Sequence, residues 1–247
     1  MKLFWRYASD AGTFTAGSTA DGYSVANLQH SALAPGWKSD VLVAADSLTC
    51  DMGSTQAISA FALIGHNLTP GSDTVVLEGA DDSAFSSGVV TIAATLTANS
   101  WFEYFSTQNK RYWRVVITKS AAGNQASAGR MVLGAYYTIP GLLRGYKFGP
   151  GADTSKAVVT RGGQTYGSLG AVSKVFQGSI NNLTDAQMDE ITELEIAYAK
   201  AMPFIVSLDW ANKPVDKSLY GTIVSVNPFT DFMVTKGIWK LSMREQQ

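Results

Sequence analysis

The sequence predicts a mainly β protein of two domains, the second of which carries one amphipathic α-helix. Three observations carry that prediction. Over about residues 13–138, short apolar or alternating stretches are cut by clusters of Gly, Asn, Asp and Ser, the pattern of antiparallel strands joined by turns. Near residues 184–202 a single capped run of helical period stands alone. Between them, at Thr138-Ile139-Pro140-Gly141, a Pro-Gly pair closes the last strand-like run and the pattern changes. The boundary is therefore placed between a domain of residues 1–138 and one of residues 139–247. A chain of 247 residues is long enough for two domains of roughly 100–150 residues each.

In the first domain, Ile58 to Ile64 is an apolar run too short for a helix, and Thr74-Val75-Val76-Leu77-Glu78 is strand-like. Arg111 to Thr118 is rich in β-branched and aromatic residues, and Met131 to Tyr137 is the last strand-like run. Asn67 to Asp73 and Gly79 to Ser83 carry turn chemistry and read as loops. In the second domain, Thr184-Asp185-Ala186-Gln187 has the spacing of a capping box, and Leu183 and Met188 are placed for a hydrophobic staple. Ile191, Leu194, Tyr198 and Met202 continue an apolar stripe that suits cover for a sheet, and Pro203 stops the helix. Beyond it the period switches to two: Phe204, Val206, Leu208 and Trp210 alternate with their neighbours, as do Trp239, Leu241 and Met243 near the end.

Composition excludes several function classes. Nineteen basic and twenty acidic side chains give a net charge of −1, which leaves no broad basic field for nucleic acid or an anionic membrane. One cysteine, Cys50, forms no internal disulfide and no thiolate zinc cage. No segment reaches the ~20 apolar residues needed to cross a bilayer, and the start of the chain lacks a signal-like apolar run, so the chain reads as soluble or soluble until assembled. The two histidines, His30 and His66, have no zinc-ligand spacing, and no nucleophile elbow, phosphate loop or dinucleotide fingerprint occurs. Asp189, Glu190, Glu193 and Glu195 lie mostly on the polar side of the helix, and Asp81 and Asp82 read as turn formers, so a pair of catalytic carboxylates is not indicated. The expectation is a non-enzyme with no cofactor and no metal.

What remains are aromatics in or beside loops, Trp37 after Pro35-Gly36 and Trp101 with Phe102 and Tyr104. Such rings stack on the apolar faces of sugars, while neighbouring amides and carboxylates bind hydroxyls. The candidate glycan-binding set is Trp37 and Trp101, with Asn67, Asp73 and Asp81 as polar partners; the competing reading has both tryptophans plugging the ends of a β-sandwich.

Several pieces in order resemble a discoidin-like domain of the galactose-binding jelly-roll type, in the divergent form met in bacteriophage tail proteins. They are Tyr23-Ser24-Val25-Ala26-Asn27-Leu28, Gly36-Trp37-Lys38-Ser39, Leu48 to Ser54, Ile58 to Asn67, Val75 to Asp82, Arg111-Tyr112-Trp113-Arg114 and Gly129 to Gly134. Where many relatives have Asp-Gly after the Asn-Leu, this chain has Gln29-His30, which departs from the calcium site of some of them. Residues from about Leu143 to Glu245 look like the tail-tube and distal-tail β-domain of phage tail tips and baseplates, through Thr160-Arg161-Gly162-Gly163, the capped helix, Pro203 to Asp209, Tyr220-Gly221-Thr222-Ile223 and Trp239 to Glu245.

The resemblance implies a structural protein of a long-tailed phage tail tip, located in the virion tail and assembled in the host cytoplasm. Its partners would be copies of itself in a ring, the tube, hub and tape-measure proteins, and a host-surface glycan bound by the jelly roll. The assembly surface would include Arg161, Gln164, Tyr166, Phe229 and Phe232, with internal packing of the two phenylalanines as the competing reading. The alternative function is a free bacterial carbohydrate-binding protein, and a phage-borne glycosidase ranks behind both.

Overall fold

The computed structural model describes residues 1–40, 45–93, 96, 100–120, 125–139, 145–153, 156–159, 161, 164–168, 172–198, 202–208, 217–225, 230–233 and 236–246. The chain divides into two compact units. One comprises Lys2–Tyr137 with Leu208–Ser218, the other Thr138–Ser207 and Leu219–Gln247 with Met1. The segment Leu208–Ser218 thus groups with the first unit rather than with the residues beside it in sequence.

The first unit is a β-sandwich built around two long strands that bend. Its strands are β1 (Lys2–Tyr7), β2 (Thr13–Ala16), β3 (Trp37–Lys38), β4 (Ala45–Ile64), β5 (Thr74–Ala80), β6 (Val90–Ala93), β7 (Ser100–Thr118), β8 (Ser127–Ala128) and β9 (Arg130–Thr138). β4 pairs with β7 along almost its whole length, with irregularities between Asp51 and Gln56 and between Ile58 and Ala60. At the first, Met52 to Thr55 stand opposite Arg111 alone, and Gly53 takes a φ of +74° that a side chain would resist. Asp51 secures the bend by accepting from Gly53 N–H at 2.8 Å and from Arg111 Nε and Nη2 at 2.8 and 2.9 Å.

The bend gives one pair of strands two layers. The first half of β4 lies between β2 and the second half of β7, which continues to β5 and β6. The second half of β4 lies between the first half of β7 and β9, with β1 beyond β9. Inward side chains of both layers meet in one core: Leu48, Cys50, Leu77, Trp113 and Val115 from the first, Phe61, Leu63, Trp101, Met131 and Leu133 from the second. Burial alternates in the first half of β4, where Asp46, Leu48, Cys50 and Met52 are buried, but runs unbroken from Ile58 to Ile64. That stretch is a strand buried on both faces, which a period-two test does not detect. The turn predicted from Gly79 begins later, because Gly79 and Ala80 still belong to β5.

The second unit holds β10 (Lys147–Asp153), β11 (Lys156–Val159), β12 (Thr165–Ser168), β13 (Val172–Leu183), α1 (Asp185–Tyr198), β14 (Phe204–Ser207), β15 (Ser218–Ser225), β16 (Thr230–Met233) and β17 (Lys236–Glu245). Its sheet runs β10-β13-β17-β15-β14, with β16 also paired to β17 and β11-β12 a separate antiparallel pair. Register sets Phe176 opposite Met243 and Ile180 opposite Trp239, so large apolar side chains line one face, all buried. α1 lies against that sheet through buried Ile191 and Leu194, and Trp239 Nε1 donates to Glu195 Oε1 at 2.7 Å.

The capping box forms as its spacing requires: Thr184 N–H donates to Gln187 Oε1 at 2.9 Å, and Gln187 N–H to Thr184 Oγ1 at 3.4 Å. Of the predicted span 184–202, the described part of the helix runs to half-buried Tyr198 and residues 199–201 lie outside the described residues; Met202, 38% exposed, donates its N–H to Tyr198 O at 3.1 Å. Phe204 to Ser207 do not alternate: all four are buried, as in a strand covered on both faces. In β17 the expected alternation holds, with Trp239, Leu241 and Met243 buried.

Candidate functional site

Both β4 and β7 double back, so Ala45, Ile64, Ser100 and Thr118 gather at one end of the sandwich, and the bends lie at the other. The short pair β3–β8 sits at the loop-bearing end. Its register, Trp37 with Ala128 and Lys38 with Ser127, fixes what each side chain can do. Strand alternation sends Trp37 and Ala128 into the core, both buried, and leaves Lys38 and Ser127 half-buried, side by side on the opposite face. Trp37 is further fixed by its indole N–H, which donates to Ser18 O at 3.1 Å.

Around this pair three chain segments meet in an open cavity of about 340 Å³. Tyr23, Leu33, Gly36, Trp37 and Lys38 come from the segment before and within β3, Gly65 and Asn67 from the turn after β4, and Ser127, Ala128 and Gly129 from β8 and the residue beyond it. Asn67 ties two of these segments together. Its Nδ2 donates to Gln125 O at 2.8 Å and its Oδ1 accepts from Ser127 N–H at 2.9 Å. The floor depends on close backbone approach: a Cβ at Gly36 would stand 2.3 Å from Ala128 O, and one at Gly129 2.8 Å from Leu33 O. Neither position admits a side chain without moving backbone.

Tyr23, 41% exposed, supplies the open aromatic surface of the cavity, and Lys38 Nζ stands 5.4 Å from its ring centroid. Among the described residues, Lys38 is the one charged residue in the lining. Beneath Asn67, His66 is buried and its Nδ1 accepts from Leu68 N–H at 3.3 Å. Burial, with Lys119 adding repulsion, pulls its pKa down to about 4, so the ring is neutral near pH 7 and acts as a structural acceptor.

Of the residues expected to bind glycan, the structure brings two to the cavity and disperses three. Asn67 lines it, and Trp37 borders it with a ring that faces the core. Trp101 is 1% exposed: its ring packs 4.5 Å from that of Phe61 and its indole N–H donates to Glu103 Oε2 at 3.2 Å, so it plugs the core and offers no sugar a face. Asp73 is buried as a loop staple, accepting from Thr69 N–H at 2.7 Å and Ser120 N–H at 2.9 Å beside Lys119 at 3.3 Å. Burial works against its charge, but those two N–H groups and Lys119 outweigh it and hold its pKa below the usual carboxylate value. Asp81 pairs with Lys110 at 3.0 Å near the bends, at the far end of the sandwich from the cavity.

Sequence reasoning missed Tyr23, Lys38 and Ser127. Reading Trp37-Lys38 as alternating strand would have found Lys38, since a core-facing tryptophan puts its neighbour outside.

Of the expected assembly surface, Arg161 and Gln164 are exposed between β11 and β12, whose pairing makes their connection a hairpin. Tyr166 lies in β12 opposite Val158 and Phe232 in β16, with side chains outside the described residues, as is Phe229 altogether.

No protein-family model and no curated protein matches the chain. Among solved structures it is similar to chitosan-binding module 1 of a chitosanase/glucanase from Paenibacillus sp. IK-5, at 18% identity and a TM-score of 0.46 over 53% of this chain and 100% of the module. Module 2 of the same enzyme, solved with chitotriose, matches at 18% identity and a TM-score of 0.45 over 52% of this chain and 99% of the module. A fucose-binding module from Streptococcus pneumoniae matches at 10% identity and a TM-score of 0.43, over 55% of this chain and 100% of the module.

Proposed function

We propose that this chain is a non-catalytic saccharide-binding protein whose first unit holds a sugar in the cavity between Tyr23, Leu33, Lys38, Asn67 and Ser127. The observation that carries the reading is the cavity itself: three loop segments locked by Asn67 and by glycine-dependent packing present one exposed aromatic ring beside polar groups. Tyr23 offers a face for the apolar side of a sugar ring, while Lys38, Ser127 and the second amide hydrogen of Asn67 reach its hydroxyl oxygens. The site is small and open, so affinity per copy is weak, and strong attachment requires many copies.

The setting to which the sequence resemblance points is the tail tip of a long-tailed phage, with the second unit joining copies of the chain and other tail proteins. A free bacterial carbohydrate-binding protein uses the same cavity and fits it equally. Binding is tested by titrating the full chain with saccharides while following backbone amide shifts. Shifts centred on Tyr23, Lys38 and Ser127 that disappear in Tyr23→Ala support the reading; shifts confined to residues after 139, or unchanged in Tyr23→Ala, refute it. The setting is tested by electron microscopy of the native particle. Symmetry-related copies joined through residues after 140 support the tail role, and absence of the chain from the particle leaves the free protein.

A further inference from the structure

We infer that the ligand of this cavity is an acidic saccharide, a sugar carrying a carboxylate, with Lys38 as the residue that selects it. The inference rests on the saccharide-binding reading above and adds the chemical class of the sugar.

A neutral sugar presents hydroxyls that both donate and accept, so sites for neutral sugars use acceptors as well as donors. Here two acceptors of the lining are engaged within the protein. Gly36 O accepts from Asn27 Nδ2 at 3.2 Å, and Asn67 Oδ1 accepts from Ser127 N–H at 2.9 Å. Among the described residues, no carboxylate lines the cavity. What remains includes two donor-only groups, the Lys38 ammonium and the second Nδ2 hydrogen of Asn67, beside the hydroxyls of Ser127 and Tyr23, which donate and accept alike. The two donor-only groups match a ligand that supplies acceptors to them.

Electrostatics selects among such ligands. Lys38 is half-buried, its ammonium faces the Tyr23 ring at 5.4 Å, and it has no carboxylate partner among the described residues. Other half-buried cations of this unit have carboxylate partners, Lys110 in Asp81 and Arg111 in Asp51. Lys38 is thus a charge held at a cavity wall by strand register, across from Ser127, without an internal counter-ion. A carboxylate placed between Lys38 and Ser127 gains a charge-assisted hydrogen bond from each side while its ring lies on Tyr23. An amino sugar places a second cation against Lys38 and is repelled.

The test compares uronate oligosaccharides with neutral oligosaccharides of the same ring stereochemistry, galacturonate with galactose and glucuronate with glucose, and adds chitotriose as the cationic probe. Full-length chain is titrated calorimetrically at low salt. The expected result is that in at least one pair the uronate binds tenfold or more tighter than its neutral counterpart, that this preference vanishes in Lys38→Gln and survives in Lys38→Arg, and that it falls as salt is raised. Chitotriose is expected to bind more weakly than either. Equal or tighter binding of the neutral sugar in both pairs overturns the inference while leaving the saccharide reading in place. A preference that persists in Lys38→Gln also overturns it. Failure of every saccharide to bind overturns both. Near-ultraviolet circular dichroism of Lys38→Gln and Lys38→Arg confirms that the folded unit is being compared.

Discussion

Lowering the pH from 7 to 4.5 is expected to cost this protein stability through His66, and replacing His66 by Gln removes that cost. The ring is buried under the loop that carries Asn67, its Nδ1 accepts from Leu68 N–H, and its pKa lies at about 4 against the ordinary 6.5. A histidine whose folded pKa is depressed takes up its proton in the unfolded chain first. Stability that is complete above the unfolded pKa is therefore lost as pH falls from about 6.5 toward about 4. The gap corresponds to roughly 3 kcal/mol across the full window, by ~1.36 kcal/mol per unit. Acidic groups act in the same range with the opposite sign: burial raises the pKa of Asp10, Glu103 and Glu195, which makes folding take up protons as pH falls. The total curve mixes the two, and the difference between wild type and His66→Gln isolates the histidine. Urea unfolding at pH 7 and 4.5 is expected to show a loss about 2–3 kcal/mol larger in wild type. Parallel curves for the two proteins, or an imidazole resonance of His66 titrating near 6.5, would show that His66 carries no such cost.

Three further outcomes follow from particular contacts. Gln29 Nε2 donates to Ser9 O at 3.2 Å, Asp10 O at 3.2 Å and Gly12 O at 2.8 Å, so a neutral amide occupies a cradle of carbonyls; Gln29→Ala is expected to lose roughly 1–3 kcal/mol in urea unfolding, and calcium or a chelator to leave the wild-type melting temperature unchanged. Trp37→Phe is expected to fold and keep saccharide affinity within about twofold, because the ring faces the core, whereas Trp37→Ala loses about 3–5 kcal/mol of stability; a Trp37→Phe protein that folds but no longer binds would show that the indole itself meets the ligand. Incubation with bacterial envelope polysaccharide is expected to release no reducing ends, and release abolished by substituting one carboxylate would overturn the non-catalytic reading.

The parts of the fold that were legible in the sequence are those where one local signal decides. Thr184 and Gln187 make a cap between residues three apart, and they form it. Trp239, Leu241 and Met243 alternate because one face of β17 is buried and the other is not. Legibility fails where a strand is covered on both faces. Ile58 to Ile64 and Phe204 to Ser207 show no period to read, since every position is apolar or buried for its own reason. The bend of β4 at Gly53 is also hidden, because the four residues that bulge against Arg111 acquire meaning only from the partner strand.

The site was harder to read for a related reason: aromatic character alone does not say which way a ring faces. Trp37 and Trp101 carry the large apolar surfaces that a sandwich core needs, and both were spent there. Asp73 likewise looked like a sugar ligand by residue type, yet a carboxylate accepting from Thr69 and Ser120 holds loops together. What the cavity presents instead is set by register. Because Trp37 pairs with Ala128 on the core side, Lys38 and Ser127 must share the outer side, where Tyr23 lines the same cavity. The buried tryptophan thus acts on the site without touching a ligand: anchoring its ring in the core fixes the direction in which the adjacent lysine points.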